Sequence, residues 1–474
     1  MNKFIAEERL ASWKVLLPLK KNTKLFILGG EEWLAKNLNR SVENIDWHNP
    51  NNRGVKYDLI TNDYDIIVIA NQLIMEQYLK ELTNITLQKD VVTVLVNFTS
   101  PISQYKKNIC DKSKYNFFLS FLPISSPRLF LPVTSSRFLL DSLSFHQPGS
   151  KKARYALSLL KILVRFGFTK ILQRKGILFW SDQKIVSREG ALQSWLSRKM
   201  SRQVDNITIY CGSDLPRRKI TLLIESFGDN GRTLHVAKVA DTFEGKKAIL
   251  QESNTLKLLP NLGKICWYPE FCLEDEWEGH WVQLQTAFAP SLKMAGPKLT
   301  SDHYNVLDAF TRFNRKNLRL SETAEWITIH NRLKNYSQNL PDSIRSLWHF
   351  VNNSKYYNYN IPVHFIHGDF TSWNIRKKGD KLAIFDWEDS RIDGLPFYDL
   401  FRFMYRQSAL VGPWPGSEKM LIAIEESMDQ LRHQAGFATD LKSYILPILI
   451  LDEYMNKPNR YLDEVAALFL MKQK

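Results

Sequence analysis

The chain has 474 residues, 44% hydrophobic and 12% aromatic, a length that suggests two to three domains with ample material for their cores. Its four cysteines (Cys110, Cys211, Cys266, Cys272) form no C-x-x-C pair, and the spacing of Cys266, Cys272 and His280 fits no standard zinc pattern, so neither a disulfide framework nor a structural zinc site is indicated. No run of 18 uncharged apolar residues occurs and Met1–Glu8 is too acidic for a signal peptide, so a cytoplasmic protein is expected, with a net charge of +15 that is unevenly spread.

Residues 1–135 read as an α/β unit. Lys24–Gly30 is a buried-type strand ending in a Gly turn, followed by a helical run from Glu31 to Leu38. Asp65–Ala70 and Val91–Val96 are further apolar runs, and alternation with helical stretches such as Leu73–Leu82 predicts a parallel sheet. This order is similar to the Rossmann-like methyltransferases. Their G-x-G-x-G loop is here reduced to Gly29-Gly30-Glu31, and only Glu43 or Asp46 is available to hold a ribose hydroxyl. A degenerate, non-catalytic Rossmann-like domain is expected.

Residues 136–204 read as a basic helical connector. From 151 to 219 there are 16 Lys/Arg against four acids, a local balance of +12. Lys151, Arg154, Ser158, Lys161 and Arg165 fall on one helical face, and Leu157, Leu160, Leu163 and Val164 on another. Phe166-Gly167-Phe168 and Ile177–Trp180 look like exposed aromatic stretches nearby. Two readings stay open: a helix lying on an anionic membrane surface through residues 151–180, or a connector whose apolar side packs on a domain. No recognised nucleic-acid-binding motif is present, so nucleic acid is not expected as a partner.

Residues 205–290 read as a β-rich lobe. Asn206–Tyr210 and Lys219–Ile224 alternate as paired strands, Asp229-Asn230-Gly231 signals a tight turn, and Leu234–Val239 forms a third strand carrying Lys238. A helical run follows from Lys246 to Leu259 with Glu252 within it, and Trp281–Thr286 is a further strand. Residues 291–474 read as a helical lobe, with amphipathic helices at Asp302–Phe313, Ala324–Asn335, 416–436 and 440–474.

The most informative chemistry lies inside that second lobe. A hydrophobic strand delivers His367, Gly368 and Asp369 to a loop, Asn374 follows Asp369 by five, and Leu382–Phe385 delivers Asp386. Phosphoryl transfer from a nucleotide needs such a set: one carboxylate to orient an acceptor hydroxyl and take its proton, an amide oxygen and a second carboxylate to hold Mg²⁺ on the phosphates. The D-x-x-x-x-N spacing matches the kinase catalytic loop.

His367–Ile375 resembles the H-G-D-x-x-x-x-N-I loop of the aminoglycoside phosphotransferase and choline kinase-like family. Ile384–Glu388 resembles its I-I-D-W-E strand end, and Gly394–Leu400 is similar to its G-D-P-x-x-D-L segment. The resemblance covers about residues 200–474 and implies an α+β, bilobal protein-kinase-like fold behind the N-terminal α/β domain. It implies a phosphotransferase using ATP or GTP with Mg²⁺ on a hydroxyl of a small molecule: a sugar, an aminoglycoside-like compound or an amino alcohol. Asp369 would be the base, with Asn374 and Asp386 holding the metal. Lys238 would bind the nucleotide phosphates and pair with Glu252, Glu244 being an alternative partner. Ser213 would assist the phosphates in a loop that lacks G-x-G-x-x-G, and Thr286 to Ala289, with Phe288 among them, would meet the base. Gly394 to Asp399 arrive within thirteen residues of Asp386, which leaves no room for an activation loop and argues for a small-molecule acceptor. Glu388 could reach the metal, Asp399 is expected to cap the loop, and His367 to act as a buried scaffold. The alternative is a catalytically silent kinase-like scaffold.

Overall fold

A computed structural model describes residues 12–29, 32–39, 42–48, 64–70, 91–97, 115–122, 128–145, 151–169, 172, 176–181, 188, 190–212, 217–229, 231–240, 242–290, 292–336, 340–353 and 358–473. The chain is an α+β protein that divides into two compact units. One comprises Met1–Ile249 and Phe271–Ser291, the other Leu250–Glu270 and Leu292–Lys474. Leu73–Leu82, Gly30, Glu31 and Ser213 lie outside the described residues.

The first unit is organised by one twelve-stranded sheet. Strands β1 (Lys24–Leu28), β2 (Asn44–His48), β3 (Ile66–Ile69) and β4 (Val92–Asn97) are parallel in the order β2-β1-β3-β4, with helix α1 (Glu32–Asn39) between β1 and β2 in the chain. β3 is buried along its whole length, as expected of a parallel strand covered on both faces. The remainder is antiparallel: β5 (Tyr115–Leu122), β6 (Leu129–Pro132), β7 (Gly176–Ser181), β8 (Gln203–Cys211), β9 (Lys219–Gly228), β10 (Gly231–Ala240), β11 (Phe271–Trp277) and β12 (His280–Thr286). The order runs β4-β7-β5-β6-β8-β9-β10-β12-β11. β6 and β8 join the two parts of the sheet through the pairs Leu129↔Tyr210 and Phe130↔Ile209.

Sequence and structure part at β7. Ile177–Trp180, which looked like an exposed aromatic stretch, is a central strand between β4 and β5, with Ile177, Leu178 and Phe179 fully buried. Trp13 meets Phe179 edge-on at 5.9 Å. A four-residue apolar run flanked by Gly and Ser reads equally as surface or core, and only its pairing partners decide. Helices α2 (Ser136–Phe145) and α3 (Lys151–Arg165) precede β7, and α4 (Leu192–Met200) follows it. Leu157, Leu160 and Val164 of α3 pack into a cluster with Phe138, Leu139 and Leu143 of α2.

The second unit is mainly helical. Helix α5 (Phe243–Leu258) passes the division at Ile249. Then come α6 (Ser301–Arg312), α7 (Ala324–Tyr336), α8 (Asp342–Asn352), α9 (Tyr398–Arg406), α10 (Ser417–Ala435), α11 (Leu441–Asn456) and α12 (Arg460–Lys472). Two small sheets sit among them. One orders β13 (Lys293–Met294), β16 (Ile375–Lys378) and β17 (Lys381–Ile384); the other orders β14 (Lys316–Arg319), β15 (Asn360–Ile366) and β18 (Arg391–Gly394). The helices expected at 302–313 and 324–335 are present within a residue at each end. Phe310, Phe365, Phe370 and Trp387 are fully buried and stack edge-on or face-on at 5.3–6.2 Å, which anchors the segments that carry the site.

Candidate active site

In the second unit, β15 ends at Ile366 and delivers His367, Gly368 and Asp369. Gly368 has φ +82°, and a Cβ there would lie 2.0 Å from the Asp389 carbonyl oxygen, so only glycine fits this turn. The N–H groups of His367 and Gly368 donate to Asp399 Oδ2 (2.7 Å) and Oδ1 (2.8 Å). Asp399 is buried at the start of α9, and burial pushes its carboxyl up against the opposing pull of those bonds. Asp399 thus fixes the loop backbone, as the sequence suggested.

His367 is fully buried and spans two segments. Its Nδ1 accepts from the Asp369 N–H at 3.2 Å and its Nε2 meets the Phe385 carbonyl at 3.1 Å, a pattern that calls for the Nε2–H tautomer. The Phe385 N–H in turn donates to the Asn374 carbonyl at 3.2 Å. Both hydrogen bonds tie the strand end preceding Asp386 to the catalytic-type loop. Asp386 itself adopts φ +69°, ψ +61°, a left-handed conformation that aspartate tolerates better than bulky residues do.

Asn374 Nδ2 donates to Asp369 Oδ2 at 2.8 Å and to the Asp369 carbonyl at 3.1 Å; among the described residues its Oδ1 receives no hydrogen bond. Asp369 Oδ1 is held by Arg406 Nη1 at 2.6 Å. Burial raises the Asp369 carboxyl above its usual range, while the Arg406 guanidinium pulls the other way. Arg406 also grips Glu453 in fork geometry, at 2.8 and 3.0 Å. One helical turn earlier, Arg402 donates to the Gly368 carbonyl and pairs with Asp452 (3.3 Å) and Glu453 (3.2 Å). Sequence reasoning missed Arg402 and Arg406. Their signal was present: Asp399, Arg402 and Arg406 follow i, i+3, i+7 and so share one face of α9.

Glu252, Asp386 and Glu388 form a carboxylate cluster, with one oxygen from each lying within 4.8 Å of the others. Glu252 is fully buried on the part of α5 that belongs to the second unit. Gln251 and Thr255 fix that helix by bonding the Ser390 carbonyl (2.7 Å) and hydroxyl (2.5 Å).

The first unit holds the other expected nucleotide residues. Lys238 is buried on β10, opposite Thr221 of β9 and Gln283 of β12. Thr286 ends β12 and Phe288 lies two residues beyond, both half-buried. The Ala287 N–H between them donates to the Leu234 carbonyl at 3.2 Å, so it is not the group that would meet a base. Glu244 lies in the first turn of α5.

Residues 275–418 match the model of the phosphotransferase enzyme family. That stretch, under a third of the chain, is similar to this family, and the class its model describes is that of phosphotransferases. Among solved structures, an amicoumacin kinase in complex with AMP-PNP and Ca²⁺ is similar at 12% identity, over 55% of this chain and 88% of that one, with a TM-score of 0.35. A Plasmodium vivax ethanolamine kinase is similar at 12% identity, over 71% and 91%, with a TM-score of 0.33. A glucosamine kinase in complex with glucosamine, ADP and inorganic phosphate is similar at 11% identity, over 57% and 93%, with a TM-score of 0.31. No curated protein matches this chain.

Proposed function

We propose that the chain transfers the γ-phosphoryl group of ATP or GTP to a hydroxyl of a small sugar, aminoglycoside-like compound or amino alcohol, with Asp369 as the base. The observation that carries this reading is the convergence, on one rigid loop pair, of a half-buried carboxylate braced by Asn374 and Arg406 with a separate carboxylate cluster at Asp386. Asp369 uses one lone pair of each oxygen for its braces, so each oxygen retains another to receive the acceptor's hydroxyl proton. Burial raises its affinity for that proton, which suits a general base.

The donor set at Asp386 is all carboxylate oxygen, the chemistry that a hard divalent cation takes. Asp386, Glu388, Glu252 and the Oδ1 of Asn374 are the groups that would hold Mg²⁺, whose chemistry is to neutralise charge on the phosphates. Glu252, expected only as the partner of Lys238, thereby gains a second role in this reading. Lys238 serves the phosphates, and Thr286 and Phe288 flank the base. Cytoplasm, rich in nucleoside triphosphates, is the compartment that fits. Asp369→Asn should leave nucleotide binding nearly intact and lower turnover about 10²-fold or more, measured as acceptor-dependent ADP release. Asp386→Ala should abolish Mg²⁺-dependent nucleotide binding by calorimetry. Wild-type turnover in both variants would remove these residues from the reaction.

A further inference from the structure

Helix α3 carries three parallel rows of side chains. Ala153, Leu157, Leu160 and Val164 turn inward, with Val164 fully buried. Arg154, Ser158, Lys161 and Arg165 form the second row, at the same i, i+4, i+7, i+11 spacing. The third row, one residue on, is Tyr155, Leu159, Ile162 and Phe166. The structure leaves it in solvent: these side chains are 78%, 59%, 51% and 73% exposed, and Phe168 just beyond is 62% exposed. Isolated exposed hydrophobics are ordinary; a continuous row of four, extended by a fifth, is not.

The charge along this stretch of the chain is of one sign. Residues 151–181 contain eight Lys/Arg and no Asp or Glu. Lys152, Arg154 and Arg165 are exposed beside the apolar row, whereas Lys161 is half-buried. Ser158 donates its hydroxyl to the Arg154 carbonyl at 2.9 Å, so the basic row brings no unpaired hydroxyl to the boundary. Protein interfaces deplete charge at their centres. A lipid headgroup layer instead accepts apolar groups at the acyl boundary while basic side chains reach back to phosphate.

We infer that α3 docks the protein on an anionic phospholipid surface, with Tyr155, Leu159, Ile162, Phe166 and Phe168 at the headgroup–acyl boundary and Lys152, Arg154 and Arg165 on the phosphates. The contact is peripheral, since no helix among the described residues is long and apolar enough to cross a membrane. This face differs from the one the sequence suggested. The buried strand β7 takes no part, Lys161 is not fully outward, and the inserting row is not the Leu157–Val164 row, which packs on α2.

The test is co-sedimentation of the full chain with vesicles of phosphatidylcholine alone or with phosphatidylserine added. Wild-type protein should pellet with the serine-containing vesicles at low salt and release as salt screens the phosphates. Leu159→Ser, Ile162→Ser and Phe166→Ser together should weaken binding about 10²-fold or more even at low salt. An unchanged melting midpoint would show that these exposed changes keep the fold. Lys152→Gln, Arg154→Gln and Arg165→Gln together should weaken it about 10²-fold, each basic residue contributing about fivefold. The inference falls if wild-type protein stays in the supernatant, or if the triple serine variant pellets as wild type does. It also falls if the wild type is a dimer in solution that the serine changes dissociate, for then a second copy covers the row.

Discussion

Arg406 spends one guanidinium on two carboxylates, the proposed base Asp369 and the buried Glu453. The planar fork is what allows this: two nitrogens engage Glu453 while the third reaches Asp369. Arg406→Gln should therefore leave Asp369 braced by Asn374 alone, and a small misplacement of a reacting group costs about 10²-fold in rate. The expected outcome is a fall in kcat of that order with little change in the KM for nucleotide. Arg406→Lys should recover only part of it, because a single ammonium cannot fork. A kcat within twofold of wild type in Arg406→Gln would show the ion pair to be structural alone. Asp369, Asn374, Asp386 and His367 could be placed from the sequence because their spacing is local, within one loop and one strand end. Arg406 and Glu453 could not: they reach the loop from two helices distant in the chain, and nothing local ties a helical arginine to an aspartate 37 residues earlier.

At the scale of elements, strands and helices with clear periodicity stood out in the sequence: β9, β10, β12, α6 and α7 lie close to where alternation and amphipathic spacing put them. β7 did not. Its residues are apolar on successive positions, which is what two-sided burial demands and what also makes a run ambiguous. Phe179 separates the two meanings. In the structure it is fully buried in the main cluster of the first unit, against Trp13. Phe179→Ala should cost about 3–5 kcal/mol in a denaturant titration of the full chain. A change of about 0.5 kcal/mol or less, the range of surface substitutions, would return the strand to the exterior.

For the whole molecule, the sheet sets which pieces can stand alone. A fragment beginning at about residue 200 keeps β8 to β12 but loses β6 from the edge of β8. It also loses Ser142, which bonds both Tyr210 (2.7 Å) and Thr208 (2.7 Å), and Asp141, which pairs with Arg232 at 2.6 Å. The bared edge strand carries Ile207 and Ile209 from the core cluster. Exposed, apolar strand edges associate. The fragment should elute as aggregate and show no cooperative melt, whereas the full chain should elute as a discrete species and melt cooperatively. A monomeric, cooperatively melting fragment would mean that the β6–β8 junction is dispensable.

The threading of that sheet also bears on how the protein is made. β5 reaches β4 only through β7, so the hairpin of β5 and β6 has no berth in the growing sheet until residues 176–181 have been synthesised. At about 5–20 residues per second this leaves the nascent chain holding a hairpin with both outer edges unpaired for several seconds. Ribosome-associated holdases that shield apolar segments would meet their need here, during the making of α2 and α3, rather than after the chain is released.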